Sequence, residues 1–197
     1  MKILIWSGYQ SSKWNLNTWI ENGVGGSEYC ILQLAIALNK LNYNVTISGD
    51  VEEGNFDGIQ FIHYNNFLKY QGPIGLSNKN DLKVSSHYNV VIGSNYIHYA
   101  KHLETYQITF DKSYFWLHNE YFYKWYMGNE MENWESYLSS PKLNKVVGVS
   151  KFHKNILKNN SNSLFNYDSN ESLKLICSID NALDIEGYTN SLNNKIK

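Results

Sequence analysis

Short unbroken apolar runs alternate along this chain with segments whose apolar residues recur every three or four positions. The first run, Lys2-Ile3-Leu4-Ile5-Trp6, stops at Ser7-Gly8. Its lack of polar alternation predicts a strand covered on both faces. The polar stretch from Tyr9 to about Val24 reads as a loop. Over residues 29–41, Ile31, Leu34, Ala35, Leu38 and Leu41 fall at helical spacing, and Asn42 and Asn44 mark the end. Ala35, Ile36 and Ala37 make this helix apolar nearly all round, which predicts deep burial.

The same reading places a second strand at 45–48, closing at Gly49-Asp50, and a third at 59–62. Residues 51–58 are polar and acidic and read as loop. The stretch 70–88, with Gly72-Pro73 and Gly75, reads as irregular. A fourth strand is expected at 90–94, a short helix at 96–106, and a fifth strand at 114–117. A sixth follows at 145–149, with Ser150 as the N-cap of a helix over 151–159. Loop is expected at 160–170 and a seventh strand at 173–177. Continuous strands alternating with helices predict an α/β fold: a doubly wound, mostly parallel sheet of Rossmann type, with helices on both faces. One domain over 1–186 and a polar tail over 187–197 are expected.

Composition narrows the partners. Hydrophobic residues are 43% and charged residues 18% of the 197, an ordinary globular balance. The net charge of −1 offers no basic excess for a phosphate backbone, so nucleic acid is not expected as a partner. All basic residues are lysine, and roughly one residue in seven is asparagine. An AT-rich genome explains both. No apolar run reaches membrane-spanning length and no signal peptide is visible, so a cytoplasmic location is expected. Cys30 and Cys177 sit in apolar segments and read as buried thiols of a reducing compartment.

In an open parallel sheet, ligands bind beyond the carboxyl ends of the strands. That rule selects the Gly8 loop, Gly25-Gly26, Asp50, Gly93-Ser94, His118-Asn119-Glu120 and Ser150. Gly25-Gly26-Ser27-Glu28 opens the first long helix. Its glycines let backbone N–H groups approach a phosphate or a sugar hydroxyl, and the helix terminus adds partial positive charge. A plain glycine-assisted helix start, with Glu28 complementing the dipole, fits the same residues. The G-x-G-x-x-G dinucleotide fingerprint is not met: the glycines come too late and lack the third position. Asp50 alone suits a ribose, so a nucleotide-binding protein is the weaker alternative. His118, after the fifth strand, can bond a ligand hydroxyl or polarise a leaving group; a structural histidine is the plainer reading. His153, among Lys151, Lys154 and Lys158, reads as part of a solvated face. The aromatic run 121–127 suits stacking against a sugar or simple packing.

Taken in order, several of these segments resemble the N-terminal half of retaining GT-B glycosyltransferases of family 4. They are Lys2-Ile3-Leu4, Gly25-Gly26-Ser27-Glu28, Trp116-Leu117-His118-Asn119, Val147-Gly148-Val149-Ser150-Lys151-Phe152 and Asn181-Ala182-Leu183-Asp184. The resemblance implies an acceptor-binding domain, with His118 catalytic near the transferred sugar. It implies a substrate-binding set of Gly25, Gly26, Ser27, Glu28, Asn119 and Ser150, of which the glycines approach the donor phosphates. It implies no metal and no cofactor beyond a nucleotide-sugar donor. The sequence departs from that family in having no arginine and no Glu-x7-Glu pair, both features of the donor-binding second domain. The expected partners are therefore a sugar or glycan acceptor, a nucleotide-sugar bound weakly, and a separate donor-binding chain or a second copy. Three readings stand: a fragment of a glycosyltransferase, a half-enzyme completed by another chain, or a stand-alone module that binds a glycan or protein without catalysis.

Overall fold

The first apolar run does form a strand hidden on both sides. β1, Lys2–Gly8, is buried from Ile3 onward. It pairs in parallel with β2, Asn44–Gly49, on one side and with β5, His87–Ser94, on the other. Ile3 thus lies between Val45 and Val90, and Ile5 between Ile47 and Ile92. The computed structural model describes residues 1–10, 12–70, 84–95, 99–118, 143–156 and 176–178.

The other strands are β3, Gly54–Phe56; β4, Ile59–His63; β6, Thr109–Leu117; β7, Leu143–Gly148; and β8, Ile176–Ser178. They form one eight-stranded sheet in the order β3-β4-β2-β1-β5-β6-β7-β8. Every pairing is parallel except β3 with β4. From β1 the chain builds one way through β2 and β4, then returns to build the other way through β5 to β8. This is the doubly wound α/β order, with its switch point between β1 and β5.

Successive side chains of β1 feed two separate cores, as the two-residue strand period requires. Ile3 and Ile5 pack with Ile31, Leu32 and Ala35 of α2, Gly26–Lys40. Leu4 and Trp6 pack with Tyr99 and Leu103 of α3, Tyr99–Thr105. Helices therefore cover both faces. The helical seam read from sequence is correct in phase, although Leu41 caps α2 and is exposed.

Three expectations need correction. The stretch after β1 contains a helix, α1, Leu16–Asn22. Asn15 caps it, its side-chain oxygen accepting from Thr18 N at 2.9 Å, and Gly23 ends it at φ 79°. The acidic segment after β2 contains β3, which folds back on β4 through Asp57 and Gly58, both at positive φ. The two cysteines are free and half-buried, not fully buried. The seventh expected strand is seen over Ile176–Ser178. Residues 173–175, the loop at 160–170, the polar tail and most of the irregular 70–88 stretch lie outside the described residues. No helix among the described residues is long and apolar enough to cross a membrane.

Candidate functional site

The carboxyl ends of the parallel strands define one edge, reached by Gly8, Gly49, His63, Ser94, Leu117 and Gly148. α2 begins at this edge, because it follows β1 and precedes the parallel β2. Its N-cap is Gly25, whose carbonyl accepts the first helical bond from Tyr29 N at 2.9 Å. Glu28 bends back over this terminus. The residue is only 6% exposed, and its carboxylate accepts from Ser27 Oγ at 3.1 Å. A methyl group at Gly25 would collide with Glu28 Oε2, whereas Gly26 faces open space. The partial positive charge of the helix end is thus already met by a carboxylate of the chain itself. The Cys30 thiol is pushed up by burial and by the same Glu28.

His118 leaves the end of β6 in a fixed position. Its backbone N–H donates to Asn95 Oδ1 at 2.8 Å, while Asn95 N donates to Trp116 O at 2.9 Å. Asn95 makes both bonds from a left-handed backbone, φ 58°, a conformation asparagine tolerates. The His118 ring rests against Trp116, with centroids 4.3 Å apart. Trp116 packs into the core under α2, so His118 stands on the α2 side of the edge. Its Nε2 is buried and has no hydrogen-bond partner among the described residues. Burial, and secondarily His153, bring its pKa down to about 4. A neutral imidazole with an unoccupied nitrogen can give or take one hydrogen bond with an uncharged hydroxyl.

The glycine loop and His118 therefore share one edge and one face. β6 lies two strands from β1, about 10 Å away at ordinary strand spacing. Ser150 has a different task. Its Oγ accepts from His153 N at 3.0 Å and its carbonyl from Lys154 N at 2.9 Å, capping a helix over residues 151–156. The expected cap is present, and it uses one acceptor position of the hydroxyl that the resemblance assigns to substrate.

His153 corrects the sequence reading. It is only 5% exposed, turned inward from a helix whose neighbouring Lys151 and Phe152 face solvent. Its Nδ1 accepts from Val149 N at 3.3 Å. The lysines around it concealed this, since helical spacing alone did not mark its side as buried. Asn119, Glu120 and the aromatic run 121–127 lie outside the described residues.

Asp50 is also committed internally. Oδ2 accepts from Gln10 N at 2.8 Å and Oδ1 contacts His63 Nε2 at 3.2 Å. It ties the loop after β1 to the end of β4 and gives little support to a ribose at that position. Among the described residues, no three His, Cys, Asp or Glu side chains gather closely enough to hold a metal ion. Comparison of the chain with protein-family models and with curated proteins finds no match.

Proposed function

We propose that this chain is the acceptor-side half of a retaining glycosyltransferase of GT-B type. A donor-binding domain or partner chain would complete its cleft. The reaction would break the bond between the anomeric carbon of a nucleotide-sugar and its diphosphate, and form a bond from that carbon to an acceptor hydroxyl. The observation that carries the reading is the His118 imidazole: partly buried, neutral, with no hydrogen-bond partner for its buried Nε2 among the described residues, and on the same edge and face as the glycine-opened end of α2. Such a group suits a sugar hydroxyl. A phosphate would select a cation instead. Nucleotide-sugar chemistry and the free thiols of Cys30 and Cys177 both fit a cytoplasmic location.

A turnover assay against a panel of nucleotide-sugars, with and without candidate donor-binding chains, tests this. Turnover is expected only in the completed system. His118→Ala should lower it by about 100-fold or more while circular dichroism stays unchanged. Unchanged turnover removes His118 from the site. Tight donor binding by the chain alone, measured by calorimetry, overturns the view that the other half holds the donor.

Glu28 favours a second reading. Its carboxylate lies over the α2 terminus beside Gly25 and would repel a donor phosphate arriving there. A module that binds a glycan or protein without catalysis would tolerate that arrangement. Glycan binding with no turnover in any combination selects this reading.

A further inference from the structure

α1 closes on Asn22, and Gly23 follows it in the only Asn-Gly step of the sequence. Both residues are exposed. Open space lies where a Cβ on Gly23 would stand. The Gly23 backbone N–H donates to Trp19 O at 3.0 Å.

An asparagine followed by glycine holds both partners of a reaction. The Gly23 main-chain nitrogen can attack Asn22 Cγ, because no side chain on Gly23 crowds the approach. The bond from Cγ to the side-chain nitrogen breaks. Ammonia leaves, carrying the proton given up by the main-chain nitrogen, and a five-membered succinimide remains. Water then opens the ring. Attack at Cγ yields aspartate; attack at the main-chain carbonyl yields isoaspartate, whose chain runs through the former side chain. Water is the only co-reactant, and nothing is oxidised or reduced.

The folded helix opposes the first step. Helical ψ at Asn22 turns the Gly23 nitrogen away from Cγ, and the bond to Trp19 O holds it there. The last turn of α1 must therefore open. Little holds it shut. Leu16 is the one fully buried residue of α1, and Ile20 is 69% exposed. Trp19 rests half-buried against Tyr29, with ring centroids 5.8 Å apart. The last turn has no basic residue to meet the negative end of the helix dipole. A solvent-exposed turn with so few buried contacts opens locally at small cost.

We infer that Asn22 is a site of spontaneous modification, deamidated through opening of the last turn of α1. The product places a carboxylate beside Glu21 at the negative helix end, where it is unfavourable. Isoaspartate also adds a methylene to the main chain just before Gly23, which breaks the register of the bond to Trp19 O. Conversion thus loosens the connection over residues 23–25 that leads to the N-cap of α2. None of this depends on the transferase reading.

The test is peptide mapping by mass spectrometry, with separation of isoaspartate, after the full chain is held at neutral pH and body temperature. Asn22 should convert ahead of the other asparagines of the described residues, with isoaspartate as the larger product. Gly23→Ala should lose most of the conversion. Its strain at φ 79° favours opening of the turn, so a slower rate there reports the chemistry and not the fold. Asn15→Ala removes the cap of α1, and a helix this short opens as a unit. Conversion should then rise about fivefold, and Asn15→Ser should bring it back toward the parent rate. Circular dichroism confirms that each variant is folded. An Asn22 that converts no faster than the other described asparagines, an unchanged rate in Gly23→Ala, or an unchanged rate in folded Asn15→Ala overturns the inference.

Discussion

Trp116 and His118 stand with ring centroids 4.3 Å apart and planes at 48°, so the indole walls one side of the imidazole. The two residues are separated by one position at the end of a strand, which puts both on the same face. Asn95 then fixes the His118 backbone. The desolvation to which this wall contributes, with His153 as the second cause, explains why this histidine resists a proton.

That resistance gives a pH signature. The His118 pKa falls from its ordinary 6.5 to about 4, first through burial and then through His153. Between those values the unfolded chain takes up a proton that the folded chain refuses. Stability therefore falls as pH drops from about 6.5 toward 4, by on the order of 2 kcal/mol from this group. Above about 6.5 the group contributes no pH dependence. Urea unfolding at neutral and acidic pH should show a smaller acid loss in His118→Phe than in the parent. Equal losses would contradict the burial of this ring.

The two glycines before α2 should behave differently. Gly26→Ala meets open space at the first helical position and should leave stability equal or raise it by about 0.5–1 kcal/mol. Gly25→Ala must push the Glu28 carboxylate aside and should cost about 1 kcal/mol. In a Glu28→Ala background that cost should shrink. A double-mutant cycle in denaturant reads the coupling, and zero coupling would mean that Glu28 does not lie over Gly25 in solution.

Gly93 is a tighter case. A methyl there runs into the Tyr99 ring, which is fully buried beneath α3. Neither the β5 backbone nor that ring can move freely. Gly93→Ala should destabilise by about 1–3 kcal/mol, seen as a lower denaturation midpoint with an unchanged slope. A variant as stable as the parent would show that α3 does not pack this closely on β5.

Ser150→Ala removes the cap of the helix over residues 151–156. The expected cost is about 1 kcal/mol, or about 2–4 °C in melting temperature. Ser150→Asn should restore most of it, since asparagine caps as well as serine. If alanine is tolerated fully, the hydroxyl is free for a ligand, as the family resemblance supposes.

The sheet was legible because its parallel strands are buried on both faces and so appear as continuous apolar runs, as in Ile3-Leu4-Ile5-Trp6. α2 was legible because Ile31 and Ala35 repeat at helical spacing. α1 escaped notice because it buries little beyond Leu16 and leaves Ile20 69% exposed. Its signal was the cap pair, Asn15 before Leu16 and Gly23 after Asn22. β3 was hidden by its length, yet Asp57-Gly58 is the residue pair that a two-residue hairpin turn favours. Strand ends could be read as a common edge. Which side chains there are already engaged could not. Asp50, Ser150 and Glu28 each find an internal partner across tens of residues or within one turn, and only coordinates reveal such pairings.

The hairpin that closes one margin of the sheet also bears on how molecules meet. β3 spans three residues, and it covers the flank of β4 that would otherwise present a longer row of open amides and carbonyls. A neighbouring molecule arriving there finds too little ladder to extend, so this margin resists the strand-to-strand stacking that seeds fibres.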